Sequence, residues 1–374
     1  MAFIHVIIPV YNAERYLRET VASVLAQPTE EIDIVLVNDG STDGSASICD
    51  ELAAKESRIH VIHQKNAGVS AARNAGIEAV LGTGATEGYI TFLDSDDLWC
   101  PNAFTSEQIA SVRGSDPDVI GFSMYGCDAL AERYCVLSQY QAGTKEFPQK
   151  HQTDFLWING SFATHLYHIR LFRENPVRFV VGCHHNEDVI FSAKMLFCSR
   201  RLRFSDRFLY IYRRNRVSAT GRNKYRPDNA THVPDAWYDA ADFVDQCEGI
   251  PEENRRCWKH FCISTSAIRC LELIRELSSA GYTYSEIRDC FSQKPYLSAI
   301  EKLRASELAP WQQPDLEQYR QSPESFCRVI RRKGRLRNPV RKLLLCCGLL
   351  EILDRRRYTI TEAELLRSNE RCSG

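Results

Sequence analysis

Long apolar runs are scarce in this sequence. The longest, Leu343 to Leu350, has eight residues in a chain of 374, whereas a membrane-spanning helix needs roughly 20. The N-terminus leads directly into a strand pattern and lacks the charged start and cleavage site of a signal peptide. We therefore expect a cytoplasmic protein without a membrane-spanning helix.

Several motifs of common nucleotide-binding and metal-binding proteins are also missing. Neither the Gly-x-Gly-x-x-Gly fingerprint of dinucleotide enzymes nor a Gly-Lys-Ser/Thr phosphate loop follows the first strand. No Cys-x-x-Cys pair occurs among the 15 cysteines, which we interpret as reduced thiols that mostly fill the core. A net charge of −1 argues against a polycation built to hold nucleic acid, so no nucleic-acid partner is predicted.

What the first 125 residues do contain is a regular alternation of strands and helices. Short, nearly continuous apolar runs, as at 3–9 and 32–37, are typical of strands that are buried on both faces. Helical patterns separate them, for example at 13–26 and 69–81. This alternation predicts an α/β fold with a doubly wound, mostly parallel sheet that binds ligands at the carboxyl ends of its strands.

A polar stretch rich in Pro, Asn and Arg divides the chain at 220–234. Beyond it the apolar residues recur at helical spacing. We predict a first domain at 1–220, with halves at about 1–125 and 126–220, and a mainly helical extension at 221–374.

The strongest local signal is the acidic segment Asp94-Ser95-Asp96-Asp97, which follows an apolar strand. Neighbouring carboxylates raise one another's pKa, and a bound divalent cation removes that cost. Mg²⁺ prefers such oxygen ligands and also binds substrate phosphates. An acidic turn that caps a helix is the alternative.

Two further acidic positions have comparable alternatives. Asp39 ends the second strand, where it could accept hydrogen bonds from a base or a ribose, or belong to a capping segment. Glu187 and Asp188 begin an amphipathic helix, where acidic residues favour the positive end of the helix dipole. The residues alone leave these alternatives open.

Five segments in this order resemble the family-2 glycosyltransferases, whose nucleotide-binding half has the GT-A fold. The resemblance covers roughly 3–218 and says little about 220–374. The segments are Ile7-Ile8-Pro9-Val10-Tyr11-Asn12, Val37 to Asp43, Asn66 to Gly76, Asp94-Ser95-Asp96-Asp97, and Arg178-Phe179 with Asn186 to Phe191 and Tyr210 to Arg213.

The resemblance implies a set of residues that bind a nucleotide-sugar donor: Pro9, Tyr11, Asn12, Asp39, Arg73, Asp94, Ser95 and Arg213. Among them, Tyr11 and Asp39 would hold the nucleoside. Arg73 would lie near the base and phosphates, and Arg213 would contact the diphosphate. Asp94 would approach the ribose or the metal shell, and Asp96 would ligate the Mn²⁺ or Mg²⁺ that bridges the diphosphate.

The resemblance also implies the reaction. Asp188 would be the catalytic base, with Glu187 beside it, in an inverting transfer from a donor that is most often UDP-linked in this family. A hexosyl or N-acetylhexosaminyl group would pass to a hydroxyl of a glycan or lipid-linked glycan during assembly of a bacterial surface polysaccharide. A non-catalytic binding module of the same fold and an aspartate-based phosphotransferase are the alternatives, although Leu98 stands where the latter expects threonine.

The C-terminal region is locally basic. Arg328 to Lys342 holds eight basic residues and no acidic one, Leu343 to Leu350 follows, and Arg355 to Arg357 comes next. Basic residues around a short apolar segment suit an anionic membrane surface. Peripheral binding at the inner face of the cell membrane, through 328–357, is weighed equally with its alternative, a basic surface helix packed on the protein body or a solvated face.

Overall fold

The structure is a computed structural model that describes residues 3–128, 133–146, 162–183, 186–213, 232–292, 295–333 and 360–361. Two compact units divide the chain. The first contains Met1–Gly182, Glu187–Arg216 and Tyr358–Gly374, and the second contains Cys183–Asn186 and Val217–Arg357. The predicted boundary near residue 220 lies outside the described residues, as does most of the basic segment at 328–357.

The first unit contains the described strands and helices α1 to α6. The strands are β1 (Ile4–Val10), β2 (Ile32–Asp39), β3 (Ile59–Gln64), β4 (Tyr89–Phe92), β5 (Leu98–Trp99), β6 (Val119–Cys127), β7 (Arg133–Ser138), β8 (Gly143–Glu146), β9 (His165–His168), β10 (Arg201–Arg213) and β11 (Ile360–Thr361). The helices are α1 (Leu17–Leu25), α2 (Ser45–Lys55), α3 (Val69–Gly82), α4 (Ser106–Ser115), α5 (Ile169–Glu174) and α6 (Glu187–Cys198).

These strands form one sheet with the order β11-β7-β6-β9-β4-β1-β2-β3, and β10 pairs with β5, β6 and β8 beside this path. Strand β1 runs parallel to β2 and β4, and β2 runs parallel to β3. The carboxyl ends of these four strands therefore meet at one edge of the sheet, and the predicted parallel α/β arrangement is confirmed. Strand β9 runs antiparallel to both β4 and β6, a pairing that the sequence pattern did not predict.

The local sequence explains how α3 lies against this sheet. Every residue of β1 is buried, as its continuous apolar run predicts. A Cβ atom at Gly76 of α3 would come within 2.5 Å of Ile7 Cγ2 in β1. Glycine thus permits the close approach of helix and strand, and this approach fixes the position of Arg73 on the same helix.

The described part of the second unit consists mainly of helices, as predicted for the C-terminal region. Its helices are α7 (His232–Phe243), α8 (Glu252–Ala280), α9 (Tyr284–Cys290), α10 (Tyr296–Lys302) and α11 (Gln313–Gln321), and residues 323–333 are also helical. Buried side chains of α8, among them Leu271, Ile274 and Leu277, form a core with residues of the later helices. Nowhere in the described ranges does a helix combine the length and apolar character that crossing a bilayer requires.

Candidate active site

The turns after β1 and β2 lie side by side and are joined by hydrogen bonds. Oδ1 of Asn12 accepts a hydrogen bond from the N–H of Thr42 at 2.8 Å, and the N–H of Asn12 donates to Ser41 Oγ at 3.1 Å. Pro9 is buried in β1, whereas Tyr11 is 52% exposed. An exposed aromatic ring beside a fixed turn can stack on a nucleobase.

Asp39 ends β2 and anchors the loop that precedes α3. Its Oδ1 accepts hydrogen bonds from Gln64 Nε2 at 2.7 Å and from the N–H of Ala67 at 2.9 Å, and its Oδ2 accepts one from the N–H of Gly68 at 2.8 Å. Asp39 is buried, so these bonds satisfy its carboxylate and shape the loop. A direct contact between Asp39 and a nucleoside stays a prediction.

Three carboxylates crowd the turn that follows β4. Burial, together with the charge of Asp94, raises the pKa of Asp96 to about 6. Burial and the charges of Asp94 and Asp96 raise the pKa of Asp97 well above its usual range. Each ionised carboxylate therefore disfavours ionisation of its neighbours.

The alternative that these acids cap a helix is wrong. Strand β5 directly follows the turn, and α4 begins only at Ser106. The cap of α4 is Thr105, whose side chain accepts a hydrogen bond from the N–H of Gln108. The acidic turn consequently needs another source of positive charge or of hydrogen-bond donors.

Arg73 on α3 joins the acidic turn to the start of α6. Its Nη2 lies 2.8 Å from Asp94 Oδ1, and its Nη1 lies 3.2 Å from Glu187 Oε1. The guanidinium is buried, and its central carbon lies 4.3 Å from the ring centroid of Phe162 and 5.1 Å from that of Phe179. These rings exclude water from one side of the cation, which therefore depends on the two carboxylates for charge balance.

Glu187 and Asp188 form the first turn of α6, beside Arg73. Burial raises the pKa of Glu187, as does the charge of Asp188, while Arg73 opposes this shift. Burial also raises the pKa of Asp188, although the N–H of Val189 donates to its Oδ1 at 2.8 Å and lowers the pKa. Asp94 raises the pKa of Asp188 as it does that of Asp96, so the charge of Asp94 reaches both acids.

Arg213 and Ser95 are held within the protein. Arg213 is buried at the end of β10, where its Nε donates to the carbonyl oxygen of Asp96 at 3.0 Å and its Nη2 donates to Glu19 Oε2 at 2.8 Å. The carbonyl oxygen of Ser95 accepts a hydrogen bond from Thr20 Oγ1 at 3.0 Å. These contacts support the acidic turn, and contact of Arg213 with a diphosphate stays a prediction.

The sequence analysis missed several residues that build the site. The rings of Phe162 and Phe179 pack against the guanidinium of Arg73. The hydroxyl of Tyr210 donates a hydrogen bond to Asp97 Oδ2 at 2.5 Å. Asp97, Tyr210 and Phe179 lie in the segments that carry the family resemblance, whereas Phe162 lies outside them. The place of the first three in these segments could have marked them as site residues. No spacing rule, however, predicts that the two phenylalanines contact Arg73.

A second cluster of potential metal ligands lies near the amino end of β4. Glu87, Asp116 and His168 each bring one ligand atom to this cluster. His168 Nδ1 accepts the N–H of Arg170 at 3.1 Å, its Nε2 lies 3.2 Å from Asp116 Oδ1, and Arg170 Nη1 pairs with Asp116 Oδ2 at 2.7 Å. Because a neutral histidine has one acceptor nitrogen, these groups satisfy one another. We therefore do not assign a cation to them.

The acidic turn fits a divalent cation better. It offers hard carboxylate oxygens, the donor type that Mg²⁺ and Mn²⁺ prefer. Burial, and after it the negative charge of neighbouring carboxylates, raises the pKa values of Asp96 and Asp97, and a bound cation would offset both effects. Of the two residues, Asp96 is partly exposed and Asp97 is buried.

Comparisons with known proteins identify the first unit. The profile of Glycosyl transferase family 2 matches residues 5–179. Glycosyltransferase GlyG of Streptococcus pneumoniae is 31% identical over 224 residues, which cover 56% of this chain and 70% of GlyG. The uncharacterized glycosyltransferase EpsJ of Bacillus subtilis is 32% identical over 238 residues, which cover 62% of this chain and 66% of EpsJ. The minor teichoic acid biosynthesis protein GgaA of Bacillus subtilis is 31% identical over 227 residues, which cover 56% of this chain and 47% of GgaA.

These matches thus span from about half to about two thirds of the length of such relatives. Among solved structures, residues 1–349 of S. aureus TarS in complex with UDP-GlcNAc align with a TM-score of 0.65 at 19% identity. That alignment covers 90% of this chain and 92% of the TarS chain, and it confirms the predicted GT-A fold. The chain belongs to glycosyl transferase family 2.

Proposed function

We propose that this protein is an inverting, metal-dependent glycosyltransferase that moves a sugar from a nucleotide-sugar to a hydroxyl group of a glycan acceptor. The observation that carries the proposal is the bridge of Arg73 between Asp94 and Glu187. Through this bridge, an acidic turn suited to a metal diphosphate faces the same guanidinium as the acids that begin α6. A donor and a base can then act on one carbon atom.

Asp188 is the proposed base. The oxygen of the acceptor hydroxyl attacks the anomeric carbon, the bond from that carbon to the diphosphate breaks, and the hydroxyl proton passes to Asp188. The raised pKa of Asp188 brings its proton affinity closer to the working pH, which favours general-base catalysis. Such catalysis typically contributes about 10²–10⁴-fold to the rate.

Asp96 is the proposed ligand of the cation, and Asp94 lies beside it. When bound, Mn²⁺ or Mg²⁺ supplies positive charge that stabilises the leaving diphosphate. Arg73 holds the Asp94 carboxylate in place, and Tyr11 offers an exposed ring to the base.

Similar proteins support a class of donor and a class of acceptor, but not a particular sugar or glycan. TarS, which has the same fold, was crystallised with UDP-GlcNAc, so UDP-sugars are the first donors to test. GgaA is named for teichoic acid biosynthesis, which supports a glycan or lipid-linked glycan of the bacterial surface as acceptor. A cytoplasmic location at the inner face of the membrane is part of this proposal.

The test is release of nucleoside diphosphate from UDP-, GDP- and dTDP-sugars with Mn²⁺ and with a chelator. A transferase slowly hydrolyses its own donor and releases nucleoside diphosphate only with the metal. Release of inorganic phosphate would indicate a phosphotransferase. Tight binding without any release, also in the presence of glycan acceptors, would indicate a binding module.

A further inference from the structure

Asp97 attaches the acidic turn to β10 by hydrogen bonds, and it is the most buried of the four residues of the turn. Asp97 is 1% exposed. Its Oδ2 accepts a hydrogen bond from the Tyr210 hydroxyl at 2.5 Å, and its Oδ1 accepts one from the N–H of Arg213 at 2.7 Å. Both carboxylate oxygens are therefore engaged by β10.

Tyr210 also reaches the first residue of the turn. Its hydroxyl oxygen accepts a hydrogen bond from the N–H of Asp94 at 3.3 Å while its proton points to Asp97. Arg213 Nε donates to the carbonyl oxygen of Asp96 at 3.0 Å. Strand β10 thus holds Asp94, Asp96 and Asp97, three of the four residues of the turn.

The chain after the turn is held by the same part of β10. Trp99 pairs with Tyr210, and Leu98 pairs with Ile211, in an antiparallel ladder. A buried carboxylate is costly unless it is hydrogen-bonded, and an apolar residue would fill the same space without that cost. The hydrogen bonds of Asp97 instead fix the backbone that carries Asp94 and Asp96.

We infer that Asp97 and Tyr210 are positioning residues, which hold Asp94 and Asp96 in the orientation that binds a metal–nucleoside diphosphate without touching it themselves. This inference rests on the proposed function. Groups that orient metal ligands typically contribute 10–100-fold to metal affinity. The role of Asp97 accordingly differs from that of Asp96, although the two are neighbours in one acidic segment.

The test is calorimetric titration of Mn²⁺ and UDP into the full chain and into Tyr210→Phe, which removes only the hydroxyl. We expect Tyr210→Phe to bind Mn²⁺–UDP about 10–100-fold more weakly. Tyr89→Phe is the matched control, because Tyr89 is equally buried and its hydroxyl donates to the carbonyl oxygen of Pro117 at 2.7 Å. Tyr89 lies at the opposite end of β4 from the turn, so its variant should bind Mn²⁺–UDP like the wild type.

Equal affinities of Tyr210→Phe and the wild type would overturn the inference. So would equal losses in Tyr210→Phe and Tyr89→Phe, since a general loss of packing would then explain both. If Tyr210→Phe does not fold, Asp97→Asn decides by the same measurement and the same expected weakening. Failure of the wild type itself to bind any nucleoside diphosphate with Mn²⁺ would overturn the proposed function, and this inference with it.

Discussion

The side chains of Arg73 and Glu187 meet at 3.2 Å although the two residues are 114 positions apart in the chain. Arg73 also contacts Asp94, so one buried cation neutralises acids from two distant segments. Although burial opposes its charge, these carboxylates raise the pKa of the guanidinium. The arrangement makes Arg73 the centre of the proposed site.

Replacing Arg73 by Met should destabilise the protein strongly. Removal of one partner of a buried ion pair leaves uncompensated charge and costs about 3–5 kcal/mol. Urea denaturation measures the change in the free energy of unfolding. Arg18→Met is the matched control, since its pair with Glu51 is about half exposed, and exposed ion pairs contribute little to stability. Equal effects of the two substitutions would contradict the central role of Arg73.

Asp188→Asn should fold normally and bind the donor, yet lose about 10²–10⁴-fold in the rate of transfer. The amide keeps the shape of the side chain but cannot take the proton of the acceptor hydroxyl. Single-turnover transfer measures the rate, and calorimetry measures donor affinity. Asp206→Asn, at an exposed position of β10, should behave like the wild type. Transfer at the wild-type rate by Asp188→Asn would remove Asp188 from the mechanism.

Asp96→Asn should stabilise the metal-free protein at neutral pH more than at acidic pH. The folded-state pKa of about 6 exceeds the usual value of aspartate, about 3.9, so the folded state binds the proton more tightly. This contribution to stability is fully present below about pH 4 and is lost as the pH rises through about 6. The difference at neutral pH is at most about 3 kcal/mol, and partial exposure reduces it.

Thermal unfolding with a chelator, at several pH values, measures this effect. The gain in Tm of Asp96→Asn over the wild type should grow from acidic to neutral pH. Added Mn²⁺ should stabilise the wild type at neutral pH and leave Asp96→Asn nearly unchanged. A gain that does not vary with pH would show that Asp96 does not carry the raised pKa.

Much of the first unit could be predicted from the sequence, because the patterns that indicate its strands and its acidic turn each lie within a short stretch of the chain. The apolar runs of β1 and β2 and the acidic residues after β4 are contiguous signals. The antiparallel strands were missed because their partners are remote, as in the pairing of Tyr210 with Trp99. For the same reason, the sequence pointed to Arg73 and Glu187 separately but not to their contact.

Tyr11→Ala should weaken donor binding with little effect on folding. Tyr11 is 52% exposed, and loss of base stacking on an aromatic ring costs about 1–3 kcal/mol. The KM for the donor should therefore rise more than kcat falls. Trp311→Ala removes an aromatic residue that is 62% exposed in the second unit and should change neither constant. An unchanged KM in Tyr11→Ala would exclude stacking on this ring.

The basic segment at 328–357 can be tested through its described part. Exchange of Arg328, Arg331, Arg332 and Lys333 for Gln should weaken binding to anionic vesicles by about 1 kcal/mol for each residue near the surface. Co-sedimentation with vesicles rich in phosphatidylserine measures this binding, and neutral vesicles serve as the control. Equal binding of the exchanged and wild-type proteins would favour the alternative, a basic surface helix packed on the protein body or a solvated face.

Truncation of the C-terminal region would test membrane binding less clearly than the substitutions by Gln. Ile360 and Thr361 of β11 pair with Tyr134 and Arg133 at the rim of the sheet, next to Val136 and Leu137, which are 45% and 40% exposed. A protein truncated before Ile360 would leave that part of β7 without its partner strand. Unpaired edge strands tend to form hydrogen bonds with strands of other molecules. The resulting self-association would carry such a fragment into the pellet with any vesicle, whatever its lipid charge.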